Sequence, residues 1–317
     1  MEKTMIRFAS FLLALILMAA QIPFGALAAE NCCCGHPECP AYQQEAVLPE
    51  TGMISAGNYH SVYLSEDGYV YAAGTNKPGK SANRGGRCDV EYWEGIVAIS
   101  AASHTVGLKA DGSVVATGVN TYGQCDVGTW RDMVAVSAGD HHTVGLRDDG
   151  TVVAVGDNEY GQCQVRLWKD IIQVEAGLDT TYGLTEDGRV LSVGKRSYGS
   201  GWTDIIAISA GPYHLVGLKA DGTVIQTGVC DQWDETTDEW ENIVSISAGN
   251  THTLGLRADG SVVAVGSTSN DRGQCEVDQW YDIVAISAGM MHSLGIMSDG
   301  TIVAVGSNGY GQCDIAG

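Results

Sequence analysis

An Asp-Gly pair recurs along most of this chain. The pairs begin at Asp67, Asp111, Asp149, Asp187, Asp221, Asp259 and Asp299, so successive pairs are 44, 38, 38, 34, 38 and 40 residues apart. A period in this range is typical of solenoids, propellers and other repeat arrays. The sequence therefore predicts seven copies of one small unit, and residues that every copy shares are first of all candidates for a structural role.

Each unit consists of short segments with the composition of β-strands. In the third unit these segments are MVAVSA, HTVGLR and TVVAVG, with Gly, Asp and Asn between them. The Asp-Gly pair suits a tight hairpin between the second and third segments, because glycine accepts positive φ. A weaker fourth strand is predicted after the GQC motif, and the repeats show no helical period.

The second segment of each unit predicts a sheet that is covered on both faces. Val144 and Leu146 alternate with Thr143 and Gly145, so both faces are apolar or small. Radially stacked four-stranded blades cover both faces and leave only short edges. The predicted fold is therefore all-β: a seven-bladed β-propeller over residues 46–317, with four strands per blade.

The two ends of the propeller region are complementary fragments of one unit. The last unit stops at GQCDIAG, where other units continue through a tryptophan, and the first unit begins at MISAG. We expect both termini to close the ring, with residues 47–54 and 313–315 completing one shared blade.

Residues 1–28 have the pattern of a secretory signal peptide. Lys3 and Arg7 precede the apolar run 8–20, and small residues at 26–28 suit cleavage. The run is too short to span a membrane, and no other stretch is long and apolar enough. The pattern predicts a secreted, extracellular protein with Gram-positive-like export and no membrane span after cleavage. An LPETG sequence at 48–52 is similar to a cell-wall sorting motif, but it precedes the propeller instead of following it.

Residues 29–45 form a cysteine-rich segment that offers candidate metal ligands. Thiolate and imidazole ligands suit zinc or copper, but paired CxxC spacing is absent here. Disulfides are favoured in an exported chain, and a free tail remains a third possibility. The candidate ligands are Cys32, Cys33, Cys34, His36 and Cys39.

The charge balance argues against nucleic acid as a partner. The chain has 17 Lys and Arg against 38 Asp and Glu, a formal charge of −21, and removal of the signal peptide brings it to about −22. Binding to phosphates requires clustered positive side chains. We therefore expect no nucleic-acid partner.

Three residue types recur at fixed positions, and we interpret them as structural. A tryptophan that precedes each unit after the first is predicted to pack between blades, and the cysteine of GQC to act as a small buried side chain. A histidine lies seven residues before six of the Asp-Gly pairs, and Thr180 replaces it in the fourth unit. We expect it to form a hydrogen bond required by the blade. The histidines are His60, His104, His142, His214, His252 and His292.

Units such as SAGDHHTVGLRDDGTVVAVGDNEYGQC resemble the repeats of the regulator of chromosome condensation family, over about residues 53–317. The resemblance implies a seven-bladed propeller. The eukaryotic namesake is a chromatin-bound exchange factor for a small GTPase, with a nuclear setting that an acidic exported chain does not share. In repeat length and export the chain is more similar to the secreted bacterial propeller that inhibits β-lactamases.

That second similarity implies that loops just before the repeat histidine hold aromatic residues against a partner. Among the matching positions, only Tyr59 and Tyr213 are aromatic. The positions are Tyr59, Ser103, His141, Asp179, Tyr213, Thr251 and Met291.

The strand order predicts a binding face. Loops after the first and third strands emerge together, and aromatic and methionine side chains there are the usual anchors of an interface. An insertion in the first unit adds basic residues. The candidate partner-binding residues are Tyr59, Lys77, Lys80, Arg84, Arg87, Tyr122, His141, Tyr160, Tyr213, Met291 and Tyr310.

The leading hypothesis is an exported, non-catalytic, monomeric propeller without a cofactor that binds an extracellular protein or a surface polymer. A glycan-binding propeller, with tyrosines as stacking platforms, is an alternative. A secreted enzyme inhibitor is another, as is an enzyme that uses His141 with Asp140 and His142. A guanine-nucleotide exchange factor is a further alternative by family analogy, which the export signal disfavours. Outside the repeat positions, the sequence has no set of nucleophile, base and orienting group, and no phosphate-binding loop.

Overall fold

The computed structural model describes residues 52–76, 85–228 and 236–315. The predicted signal peptide and cysteine-rich segment lie outside the described residues. So do Lys77, Lys80 and Arg84 of the basic insertion.

The described chain forms seven antiparallel three-stranded sheets, each made of three consecutive strands. We number the sheets 1 to 7 in chain order. The first strands are β1 Met53–Ala56, β4 Ile96–Ala101, β7 Met133–Ala138, β10 Ile171–Ala176, β13 Ile205–Ala210, β16 Ile243–Ala248 and β19 Ile283–Ala288. The second strands are β2 His60–Leu64, β5 His104–Lys109, β8 His142–Arg147, β11 Thr180–Thr185, β14 His214–Lys219, β17 His252–Arg257 and β20 His292–Met297. The third strands are β3 Val70–Gly74, β6 Val114–Gly118, β9 Val152–Gly156, β12 Val190–Gly194, β15 Val224–Gly228, β18 Val262–Gly266 and β21 Ile302–Gly306.

The only helix among the described residues is a 3₁₀ turn at Thr268–Asn270. No helix in this part of the chain has both the length and the apolar character that a membrane span requires.

The Asp-Gly pairs form the hairpins between second and third strands, as the sequence predicted. In sheet 2, Gly112 has φ +77°, and the Asp111 carboxylate accepts hydrogen bonds from the Ser113 amide at 2.9 Å and the Ser113 hydroxyl at 2.5 Å. These bonds lower the pKa of Asp111 and fix the turn.

The predicted fourth strand is absent from the described residues, where tight turns occupy the stretch that contains GQC. In sheet 2, Asn120 holds this stretch: its carbonyl oxygen accepts the Cys125 amide at 2.8 Å, and its amide donates to Asp126 at 3.0 Å. The Cys125 thiol donates to the Val119 carbonyl at 3.4 Å, and burial raises the pKa of Cys125 to about 12. Backbone groups satisfied within the turn are not available for a further strand.

The repeat histidines form structural hydrogen bonds, and these bonds link neighbouring sheets. His142 is fully buried, and its Nε2 lies 2.9 Å from Thr181 Oγ1 in the next sheet. That hydroxyl donates to the Gln162 carbonyl at 2.7 Å, so it accepts the proton on Nε2. The corresponding pairs are His60–Thr105, His104–Thr143, His214–Thr253, His252–Ser293 and His292–Ser61, at 2.6–3.0 Å.

The tryptophans pack between sheets, as predicted. Trp130 lies in an apolar cluster with Val106 and Leu108 of sheet 2 and Met133 of sheet 3. Its ring covers a glycine of the second strand of sheet 3, Gly145. Sheet 1 has Tyr63 at the equivalent position, and this buried side chain packs against Leu294 and Ile296 of sheet 7. Tyr63 thus fills the space that a tryptophan fills elsewhere.

The first strand of each of the seven sheets contributes an alanine to the lining of one cavity of about 70 Å³. Sheets 7 and 1 are bonded in the same way as consecutive sheets. The Ala56 amide donates to Ser287 Oγ at 2.9 Å, just as the Ala138 amide donates to Ser100 Oγ. The alanines are Ala56, Ala101, Ala138, Ala176, Ala210, Ala248 and Ala288.

Substituting Gly145 by alanine is expected to lower the free energy of unfolding by about 1–3 kcal/mol. A Cβ atom there would lie 2.7 Å from Trp130 Cζ3 and 2.9 Å from Met133 Sδ. Gly128→Ala is the matched control, because a Cβ atom at Gly128 would meet nothing within 4 Å. Urea unfolding of both variants checks this, and equal stabilities would contradict the packing described here.

Candidate binding face

One end of the sheets gathers the loops that join first to second strands and the loops that follow third strands. In sheet 2, His104 at the start of β5 pairs with Gly118 at the end of β6, so both loops leave the sheet together. We call this end the loop face. The Asp-Gly hairpins lie at the opposite end.

Four of the predicted tyrosines are exposed on the loop face. Tyr122 is 51%, Tyr160 42%, Tyr213 36% and Tyr310 47% exposed. Tyr59, His141 and Met291 are half-buried there. Exposed tyrosine offers a large apolar surface with a polar tip, which suits contact with a ligand or partner.

Arg87 differs from its predicted role as an exposed cation, because its side chain is buried, with 2% of its surface exposed. The guanidinium lies 5.8 Å from the centre of the Tyr59 ring, and Tyr59 meets Tyr310 edge to face at 5.3 Å. Burial lowers the pKa of Arg87. The Arg87 side chain therefore lies beside the Tyr59 ring and is not available at the surface.

A second cluster, which we call the Asp179 pocket, lies where sheets 3, 4 and 5 meet on the loop face. Asp179 Oδ1 is 3.8 Å from His141 Nδ1, and its Oδ2 is 3.8 Å from Lys195 Nζ and 3.7 Å from Arg196 Nη1. Only 7% of Asp179 is exposed. The pocket thus holds a buried carboxylate surrounded by two cations and an imidazole.

Three tyrosines form the rim of the Asp179 pocket. The Lys195 ammonium lies 4.5 Å from the centre of the Tyr160 ring, and Arg196 lies 5.4 Å from that of Tyr213. The rings of Tyr122 and His141 are 5.2 Å apart. The structure therefore brings together four of the predicted residues, His141, Tyr122, Tyr160 and Tyr213.

The backbone of sheet 4 positions the two cations of the pocket. The Lys195 amide donates to the Asp179 carbonyl at 3.0 Å, and the Arg196 amide donates to Thr180 Oγ1 at 3.1 Å. Thr180 replaces the repeat histidine, and Leu215 replaces its hydroxyl partner in sheet 5. In sheet 4, the position that elsewhere carries the linking histidine therefore holds the loop that contains Arg196.

Our sequence reasoning missed Lys195 and Arg196. The available signal was the KRSYG sequence at 195–199 in the shortest unit, where the preceding unit has DNEYG. Asp179 was noted as a loop position, but its proximity to both cations depends on the pairing of loops across the sheet.

His141, Asp157 and Asp179 place potential metal-ligand atoms within 4.8 Å of one another. However, Lys195 and Arg196 lie 3.7–3.8 Å from Asp179 Oδ2. A metal ion would lie close to two positive charges there, so we assign no metal to this cluster.

Five segments of the chain match the regulator of chromosome condensation (RCC1) repeat, at residues 54–79, 96–124, 133–162, 243–274 and 283–312. These five segments are repeats of the RCC1 type. The matching segments correspond to sheets 1, 2, 3, 6 and 7. Asp179, Lys195, Arg196 and Tyr213 come from sheets 4 and 5.

Several solved structures share this fold. The ectodomain of receptor kinase CR4 from Physcomitrella patens has a TM-score of 0.62 at 18% identity, covering 80% of this chain and 72% of that one. The CRINKLY ectodomain of ACR4 from Arabidopsis thaliana has a TM-score of 0.60 at 20% identity, covering 81% and 95%. Prp20p from Saccharomyces cerevisiae has a TM-score of 0.56 at 17% identity, covering 76% and 81%. No curated protein sequence gives a significant match.

Most of the polar residues that the repeats share have structural roles. The histidine links adjacent sheets, and the GQC cysteine and glutamine fix a turn. The side chains of the exposed tyrosines and of Asp179 take no part in these repeated bonds. They are the residues on the loop face that are available for a specific role.

Proposed function

We propose that the protein is an exported, non-catalytic, monomeric binding module that holds a protein or a cell-surface polymer on its loop face. The observation that carries this proposal is the convergence of exposed tyrosines around the Asp179 pocket. Tyr122, Tyr160 and Tyr213 are 36–51% exposed within this single cluster. Aromatic side chains at the centre of a surface are typical anchors of binding.

A closed ring would give this face the rigidity that binding requires. The Met290 amide of sheet 7 donates to the Gly57 carbonyl of sheet 1 at 3.2 Å, and Ser61 Oγ donates to the Gln312 carbonyl at 2.6 Å. These contacts support closure between the two ends of the propeller. A shared blade completed by residues 47–54 and 313–315 is part of this proposal.

Export and an extracellular partner are proposed from the sequence. The basic and apolar pattern of residues 1–28 supports secretion. The formal charge of −21 supports a partner other than nucleic acid.

The chemistry of the repeat residues supports a non-catalytic role. Burial lowers the pKa of His252 to about 3 and that of His142 to about 4, so both are neutral and engaged in links between sheets. Burial also raises the pKa of the Cys163 thiol to about 11. A protonated, half-buried thiol is a poor nucleophile.

The likeness to Prp20p supports a protein as one class of partner. That propeller binds Gsp1p and histones. At 17% identity the likeness extends to the fold, so those partners are not transferred to this chain.

Substituting Tyr122, Tyr160 and Tyr213 together by alanine is expected to abolish capture of the partner from culture supernatant. Loss of central aromatic anchors typically weakens binding by about 2 kcal/mol or more each. The matched control is the alanine variant of Tyr92, Leu167 and Tyr281, which are 87%, 88% and 65% exposed in the linkers between sheets. Equal capture by both variants, with both folded by circular dichroism, would reject the loop face as the binding surface.

A further inference from the structure

The Asp179 carboxylate is buried but makes no hydrogen bond to its charged neighbours. Its distances of 3.7–3.8 Å to His141, Lys195 and Arg196 exceed hydrogen-bond length. Arg196 Nη1 is also buried without a hydrogen-bond partner. A buried guanidinium N–H that lacks such a bond is costly. The pocket is therefore arranged to receive polar atoms from outside the chain.

The formal charges in and beside the pocket balance. Lys195 and Arg196 offset Asp179 and the nearby Asp157, whose carboxylate lies within 4.8 Å of the His141 and Asp179 ligand atoms. A cation would be repelled by the two basic groups, and an anion by the two carboxylates. The balance favours a neutral ligand that both donates and accepts hydrogen bonds.

A ligand with neighbouring hydroxyl groups is neutral and both donates and accepts hydrogen bonds. One hydroxyl can donate to Asp179 while its oxygen accepts from Arg196 or Lys195, and both bonds are strengthened by charge. The rim adds flat apolar surface, because Tyr160 and Tyr213 lie beside the two cations. Aromatic rings beside convergent polar groups suit a ligand with an apolar C–H face and hydroxyl edges.

We propose that the Asp179 pocket binds a neutral saccharide, with Asp179, Lys195 and Arg196 bonded to its hydroxyls and the tyrosines packed against its ring. This inference rests on the proposed binding function and names the chemistry of the ligand. The cell-surface polymer of the proposed function is then a neutral glycan.

Binding of the full chain to an array of neutral oligosaccharides of glucose, galactose, mannose and N-acetylglucosamine tests the inference. We expect retention of at least one of these, unchanged by EDTA. Asp179→Asn is expected to weaken binding by about tenfold to a hundredfold, because a charge-assisted bond is lost. Asp278→Asn, an exposed acid in the linker before sheet 7, should leave binding unchanged.

The outcomes separate this inference from the proposed function. If a folded protein retains no neutral glycan but captures a protein partner that depends on the rim tyrosines, the saccharide inference fails and the binding function stands. If neither is retained, both fail. Binding that EDTA abolishes, or that is equal in Asp179→Asn and wild type, would also overturn the saccharide inference.

Discussion

Lowering the pH from 7 to 5 is expected to destabilise the protein by about 5–10 kcal/mol, enough to unfold it. The cause is the set of six buried histidines that link neighbouring sheets. Burial lowers the pKa of His104 and His252 to about 3 and that of His142, His214 and His292 to about 4. The pKa of His60 is also well below 6.5.

The sign of this effect follows from the lowered pKa values. In the unfolded chain each histidine takes up a proton near pH 6.5. In the folded protein five of them stay neutral until their lowered pKa values of about 3 or 4, and the lowered pKa of His60 acts in the same direction. Stability is therefore lost as the pH falls from about 6.5 toward 4, by about 1.4 kcal/mol per pH unit for each proton. Glu175 acts in the opposite direction, because burial raises its pKa to about 7. The stability lost through six histidines is larger than the stability gained through this one carboxyl group.

Urea unfolding between pH 7.5 and 5 measures this dependence. His252→Gln should reduce the slope of unfolding free energy against pH by about one proton. Ser293→Ala is the matched control, since it removes the hydroxyl that lies 2.9 Å from His252 Nε2 but leaves the histidine. It should lower stability at every pH without reducing the slope. A slope near zero in the wild-type protein would contradict buried neutral histidines.

Substituting Tyr63 by glycine is expected to lower the free energy of unfolding by about 3–5 kcal/mol. Tyr63 is 7% exposed and packs against Leu294, Ile296 and Ile315. Its removal would leave a cavity between the first and last sheets, without the tryptophan that fills the equivalent space elsewhere.

Two control variants separate packing at this site from other effects. Tyr71 is 51% exposed and stacks on Tyr63 at 6.1 Å between ring centres, so Tyr71→Ala should cost about 1 kcal/mol or less. Tyr63→Phe should also be nearly neutral, because the ring is kept. Thermal unfolding measures all three, and a mild effect of Tyr63→Gly would show that sheets 1 and 7 are not packed as described.

The repeated features of the fold could be predicted from the sequence because each depends on a short stretch of residues that recurs in every unit. The Asp-Gly spacing gave seven units, and β-branched runs located three strands in each. The weaker fourth strand predicted after GQC does not form in the described residues. The Asn120 and Cys125 bonds to the local backbone compete with strand pairing there, and composition alone does not show that competition.

The candidate site could be predicted only in part. Tyr122, Tyr160, Tyr213 and His141 were identified from loop position, but the contacts of Asp179 with Lys195 and Arg196 join separate loops of sheet 4. The burial of Arg87 depends on neighbouring loops as well. Such contacts arise from how the sheets pack, for which a single sequence carries no direct signal.

Hydrogen–deuterium exchange of the protein with and without its captured partner tests the central claim, that the exposed tyrosines and the Asp179 pocket form the binding face. We predict added protection in the loops at 139–141, 157–162, 177–179, 195–199 and 211–213, and none at the Asp-Gly hairpins. Protection confined to the hairpin end, or to residues 29–51, would contradict the claim.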